Sequence, residues 1–291
     1  MITGSITALV TPFKNGHLDV KAYEGFIDWQ IRSGTSGLVP CGTTGETSTL
    51  ATGEHIQAIE ICAKVSAGRV PVIAGIGSNN TASAAYMARE AKKAGADAVL
   101  AVAPYYNKPS QEGMYQHFKL ISQATDLNII IYNIPGRSVV DIDVETMGRI
   151  AQLPHVYGLK DATSDISRIT EYKNACGEDF VQLSGDDPTA MAHWAHGGKG
   201  CISVAANVAP AQCAAFHKAC AEGDFTTARA LHEKLDGLFK DLFLCSSPAP
   251  AKYALSLLGR MSDDVRLPII TCRDSTKIAV QNAMRKAGVE F

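Results

Sequence analysis

Short, nearly uninterrupted apolar runs alternate along this chain with longer stretches whose apolar residues recur at helical spacing. The runs fall at residues 5–10, 37–41, 70–74, 98–103, 128–132, 156–160, 180–184 and 201–205. They are rich in Val, Ile, Leu and Ala and do not alternate with charge. That is the pattern of strands covered on both faces, as in a parallel sheet between layers of helix. Successive runs begin roughly 20 to 33 residues apart, enough for a strand, a helix and a return loop. The stretch 81–95 illustrates the intervening helices, with Thr81 predicted as its cap and Gly95 as its stop. Eight such units predict a (β/α)8 barrel rather than an open doubly wound sheet. After residue 209 the strand pattern ends, and 210–223, 225–243, 249–258 and 274–287 read as helices, the last stopped by Gly288. The first closes the outer ring. The predicted division is a barrel at 1–224 and a helical appendage at 225–291.

Composition narrows the function classes. The 291 residues are 46% hydrophobic and 19% charged, ample for a large core, and the formal net charge is −2 with no like-charge block. Nucleic acid and anionic membrane surfaces are therefore not expected partners. No apolar stretch has the length of a membrane span, and the first residues lack the features of a secretory signal, so the chain reads as cytoplasmic. The eight cysteines are scattered with no C-x-x-C pair, as expected of small buried hydrophobes in a reducing compartment. His193 and His196 stand three apart on a predicted helix, but no third ligand is near, and no metal is expected. Gly75-Ile76-Gly77 lacks the third glycine of a dinucleotide fingerprint and reads as a strand-to-helix turn.

Barrels of this kind carry their chemistry just after the strands. The second run is followed by Gly42-Thr43-Thr44-Gly45-Glu46, hydroxyls and backbone N–H groups that suit a carboxylate or, equally, a helix N-cap turn. The fourth leads into Tyr105 and Tyr106 between prolines, consistent with interface packing. The fifth ends at Tyr132, able to donate and accept protons, with Arg137 on a Pro-Gly turn where it can fork onto a carboxylate. The sixth ends at Lys160, followed by Asp161. A buried lysine loses hydration, and a neutral amine attacks carbonyl carbon; the plainer reading is a solvated pair with Asp161. Gly158 shares a sheet face with Lys160 and is expected to leave space beside the amine, across the mouth from Tyr132. The seventh ends in Ser184-Gly185-Asp186-Asp187. An amine, phenols, hydroxyls and an arginine without metal ligands suit imine chemistry on an α-keto acid, with the lysine as its own electron sink and no cofactor.

The segments GSITALVTPF, GTTGET, APYYNKPSQEGMYQHF, YNIPGR, GLKDAT, LSGDD and CISVAANV occur in that order from residue 4 onward. They resemble the dihydrodipicolinate synthase family of pyruvate-dependent class I aldolases. The resemblance implies a (β/α)8 lyase that condenses pyruvate with L-aspartate 4-semialdehyde on the way to diaminopimelate and lysine. It also implies Lys160 as the Schiff-base lysine, Tyr132 as proton shuttle, and Thr43 and Tyr106 as relay partners, with Tyr106 supplied by a neighbouring subunit. Thr44, Ile202 (through its backbone) and Gly185 fall with the pyruvate-binding positions, and Arg137 with the one that receives the semialdehyde carboxylate. Relatives are mostly homotetramers built as dimers of dimers.

Three other readings compete with this one. A sister lyase acting on N-acetylneuraminate or a 2-keto-3-deoxy sugar acid would share the imine half, but its polyhydroxy aldehyde calls for hydroxyl-binding groups in place of Arg137. A non-catalytic keto-acid-binding barrel would lack Lys160 or Tyr132. A phosphate-binding isomerase would need its glycine loop after the last strands, whereas Gly197-Gly198-Lys199-Gly200 precedes the eighth. Ser48, His55, Asn79 and Tyr105 match a feedback pocket for L-lysine. Thr52 and Ser83 depart from it, and Ser83 stands where a glutamate would meet the ligand's ammonium, so weak or absent lysine inhibition is expected.

Overall fold

In the computed structural model, which describes every residue from Met1 to Phe291, the eight apolar runs form eight parallel strands. These are β1 (Gly4–Ala8), β2 (Gly37–Val39), β3 (Ile73–Gly75), β4 (Ala98–Val102), β5 (Asn128–Asn133), β6 (Val156–Asp161), β7 (Val181–Ser184) and β8 (Gly200–Ser203). Their spatial order is β2-β1-β8-β7-β6-β5-β4-β3. The two end strands meet through a parallel bridge between Leu38 and Val72. Leu38 N–H donates to Pro71 O at 3.0 Å and Gly75 N–H to Pro40 O at 2.9 Å. The ring is thereby closed as a barrel.

Helices α1 (Val20–Arg32), α2 (Thr52–Ser66), α3 (Thr81–Lys93), α4 (Gln111–Ser122), α5 (Val144–Ala151), α6 (Arg168–Cys176), α7 (Ala190–Ala195) and α8 (Pro210–Ala221) alternate with the strands. Three more follow: α9 (Phe225–Asp241), α10 (Ala249–Leu257) and α11 (Asp274–Lys286). The cap of α3 is Asn80, whose side chain accepts from the N–H groups of Ala82 and Ser83. Thr81 is instead the first helical residue, and its hydroxyl meets His117 Nδ1 at 2.9 Å. A hairpin of Phe13–Lys14 and His17–Leu18 was not expected from the pattern, since two residues per strand show no period. It turns at Asn15 and Gly16, both at positive φ, as an Asn-Gly turn favours.

The core has two layers. Ile6, Ala98, Leu100, Ile130, Leu183 and Ile202 fill the barrel. Outside it, one continuous apolar cluster joins barrel helices and tail, including Phe118, Phe216, Leu238, Leu255 and Met284. Burying each such side chain stabilises by about 1.5–3 kcal/mol. All eight cysteines are free thiols, six of them buried. No helix is long and apolar enough to cross a membrane.

Candidate active site

Lys160 lies on β6, one residue before its end, in register with Tyr132 on β5 and Leu183 on β7. Tyr132 is thus its neighbour on the next strand, not a residue facing it across the mouth. The Lys160 Nζ stands 4.2 Å from the centroid of the Tyr132 ring. Both residues are 6% exposed. Lys160 has no carboxylate partner. Asp161 does not supply one: strand alternation turns it to the other face, and its Oδ1 accepts the Thr163 N–H at 2.9 Å. Burial pushes the Asp161 carboxyl above the ordinary carboxylate range.

The space beside the amine does not come from Gly158. A Cβ there would overlap the backbone carbonyl of Val181, so this glycine serves the close approach of β6 and β7 next to a register shift. Gly185 supplies the room instead. A Cβ at Gly185 would lie 2.9 Å from Lys160 Cε and 2.9 Å from Ala162 Cβ. The Gly185 N–H holds that turn by donating to Asp161 O.

The loop after β2 is a 3-10 turn, Thr43–Gly45, followed by a second, Thr47–Thr49. These two turns separate Thr43 and Thr44 from α2, whose N-cap is Ala51, so the two threonines do not cap that helix. Thr43 is exposed at the mouth, and Thr44 is buried. Glu46 is no cap either. Its side chain is enclosed, with Oε1 2.6 Å from Lys252 Nζ, and its Oε2 accepts the Arg266 N–H at 2.9 Å.

Arg137 lies in a single helical turn, Pro135–Ser138, that follows β5. It is exposed and has no carboxylate partner. The turn is anchored on both sides. The Ser138 hydroxyl donates to Ile134 O at 2.9 Å. Behind it, the Asn133 amide donates to Asp141 Oδ1 at 2.7 Å and accepts the Ile142 N–H at 3.2 Å. Arg168 grips both Asp141 oxygens. Burial raises the Asp141 carboxyl, but the Arg168 and Asn133 hydrogen bonds outweigh it and leave it below the ordinary value.

Between the loops after β2, β4 and β5 lies a cavity of about 220 Å³, lined by Thr43, Thr47, Ser48, Tyr105, Arg137 and Ser138 over an apolar floor of Val102 and Ile134. Lys160 and Tyr132 do not line it; they sit alongside, Tyr132 being in register with Val102. Tyr106 stays outside, 88% exposed and at a φ of +73°. Ile202 packs its side chain inside the barrel, in register with Ile6. Of the remaining predicted positions, His55 is buried with Nε2 2.7 Å from Gly75 O, and burial pulls its imidazole below the ordinary value. The Asn79 carbonyl accepts from the Asn107 amide at 2.9 Å. His193 is buried with both ring nitrogens unpaired, while His196 Nδ1 meets Ala192 O of its own helix. No group of three His, Cys, Asp or Glu side chains gathers where it could hold a metal ion.

Four contributors were given no role in the sequence reading. Lys252 was readable as a lone cation in the apolar stretch of α10. Asp187, buried beneath the mouth, accepts the N–H groups of Val204 and Ala205 at 3.1 and 3.2 Å and so fixes the turn after β8. Asn133 and Asp141 had no local signal.

The mouth therefore combines an amine without a counter-ion, a phenol beside it, a hydroxyl-bearing loop and an unpaired guanidinium. The family model for the dihydrodipicolinate synthetase family matches residues 1–287. A 4-hydroxy-tetrahydrodipicolinate synthase of Bradyrhizobium diazoefficiens is 55% identical over 286 residues, 98% of this chain and 97% of that protein. The crystal structure of dihydrodipicolinate synthase from Aquifex aeolicus superposes with a TM-score of 0.97 at 42% identity, covering 99% of each chain. That of the Acinetobacter baumannii enzyme complexed with pyruvate gives 0.97 at 41% identity, over the whole of both chains.

Proposed function

The chain belongs to the dihydrodipicolinate synthetase family, and from its barrel mouth we infer how it works as a lyase that condenses pyruvate with L-aspartate 4-semialdehyde on the path to diaminopimelate and lysine. The observation that carries the reading is Lys160: a buried amine beside a phenol, with no carboxylate to hold it. Its Nζ attacks the keto carbon of pyruvate and water leaves, forming an iminium. The iminium withdraws electrons, so a methyl proton is lost and an enamine forms. That carbon attacks the aldehyde, and the semialdehyde's own amine then displaces Lys160 as the ring closes.

In this reading Tyr132 moves protons at the imine, with Thr43 as its relay partner, because the phenol adjoins the amine and the hydroxyl opens onto the same mouth. Thr44, Gly185 and the Ile202 backbone receive pyruvate. Arg137, exposed and unpaired at the cavity, receives the semialdehyde carboxylate through a charge-assisted fork. An acceptor bearing a carboxylate fits that guanidinium better than the polyhydroxy aldehyde of a sister lyase does. Borohydride reduction in the presence of pyruvate should leave one reduced pyruvyl group on the Lys160 peptide; an adduct elsewhere, or none, overturns the mechanism. A panel of aspartate semialdehyde, N-acetylmannosamine and glyceraldehyde tests the acceptor.

Tyr106 completes the relay from a neighbouring subunit in a homotetramer made of two dimers. Its exposure and positive φ support this, since they carry the phenol away from its own chain. Mixing inactive Tyr106→Phe with inactive Lys160→Ala subunits should restore activity in hybrids; no recovery under proven subunit exchange returns the tyrosine to its own chain. A cytoplasmic setting suits eight free thiols. Ser48, His55, Asn79 and Tyr105 form at most a remnant of a lysine-binding pocket, because Ser83 offers the ligand's ammonium no charge.

A further inference from the structure

We propose that the buried ion pair of Glu46 and Lys252 is a positioning device, through which the helical tail holds the Thr43–Thr44 loop in the shape that receives the keto acid. The inference rests on the reading of Lys160 and Thr44 given above.

The loop is bounded by two non-glycine residues at left-handed backbone angles, Cys41 at φ +57° and Glu46 at φ +56°. Such conformations persist only where surrounding structure over-determines them. At Glu46 the tail does so. Lys252, on α10, is 0% exposed and donates to Glu46 Oε1 at 2.6 Å and to Asp264 O at 2.6 Å. Arg266 gives its backbone N–H to the other Glu46 oxygen at 2.9 Å. The Arg266 guanidinium continues to Thr49 O at 2.9 Å and forks onto Glu54 at 2.8 and 2.6 Å. Both cations stack on the Phe13 ring, each 4.1 Å from its centroid. On the barrel side, the Thr11 hydroxyl donates to Gly45 O at 2.7 Å. Both oxygens of Glu46 are thus gripped by a segment some two hundred residues away, two residues after Thr44.

Stability alone does not account for the pair. A buried ion pair can be replaced by apolar residues of similar volume without loss. What apolar residues do not reproduce is a two-oxygen grip that sets the backbone of Glu46 and, with it, the threonines.

The test compares the double variant Glu46→Gln/Lys252→Met with unaltered protein. Melting temperatures should be close, since no charge is left orphaned. The pyruvate KM should rise and single-turnover imine formation, trapped with borohydride, should slow by about tenfold or more, because a misplacement of ~1 Å costs up to ~100-fold. The semialdehyde KM should hold, as Arg137 lies in the separate turn that follows β5. Glu46→Asp keeps the charge and shortens the reach; it should show the same pyruvate-selective defect even where the double variant fails to fold. Unchanged pyruvate kinetics in either folded variant, or equal rises in both KM values, overturn the proposal. Absence of a Lys160 adduct in the unaltered protein would instead overturn the mechanism on which it rests.

Discussion

Two lysines lie inside this protein, and their settings look alike at first. Lys160 stands at the barrel mouth with its amine 4.2 Å from the Tyr132 ring centroid. Lys252 stands where the tail meets the loop after β2, 4.1 Å from the ring centroid of Phe13. The difference is the counter-charge. Lys252 has a carboxylate at 2.6 Å and a backbone carbonyl at 2.6 Å. Burial draws its amine below the ordinary lysine value while Glu46 pushes it back up, and two of its N–H groups are engaged. Lys160 has neither partner. Burial by itself does not make a lysine a nucleophile; the role proposed for Lys160 rests on burial without an anion to hold the amine.

The sharpest test of that contrast is to remove each amine. Lys160→Met should lower turnover by at least ~10³-fold, the scale seen when a covalent nucleophile is lost. Its melting temperature should hold or rise, because no partner is orphaned. Lys252→Met should do the reverse in emphasis. It strands Glu46 in the interior at a cost of about 3–5 kcal/mol, or roughly 5–15 °C in Tm for a chain of this size. Calorimetry and steady-state rates on the two variants decide it, and matching losses of stability would break the comparison.

Arg137 extends the same logic to a cation that is unpaired and exposed. On the proposed role, Arg137→Ala should remove a charge-assisted bond to the acceptor's carboxylate worth about 1.5–3 kcal/mol, raising the semialdehyde KM about ten- to a hundredfold and the pyruvate KM much less. Equal rises in both would make it structural. The smallest effect is expected from free L-lysine, a ligand that needs at its ammonium what Lys252 finds in Glu46. Ser83, exposed and neutral, does not provide it. Initial rates should stay flat across millimolar L-lysine; saturable inhibition below that range would identify another anion in the pocket.

How much of this was legible in advance depended on distance along the chain. Lys160, Tyr132 and Arg137 were legible because each closes or follows an apolar run, and a barrel delivers such positions to one rim. The eight strands were legible because burial on both faces writes continuous apolar runs. The hairpin at Asn15-Gly16 carried a turn signal but no periodic strands. Gly158 was misread because its neighbour is the backbone of another strand, which no local pattern reports. Nor does a local pattern report that the missing Cβ of Gly185 makes room for the Lys160 side chain on β6.

The amino-acid pattern by itself determined the strand and helix order, the closed barrel and the residue types at its rim, because these follow from periodicity and from chemistry carried on single residues. Tertiary structure alone decided which lysine is free and which is bound. That depends on whether an anion lies within ~3 Å, and Glu46 and Lys252, 206 residues apart, are brought together only when the tail packs against the loop after β2.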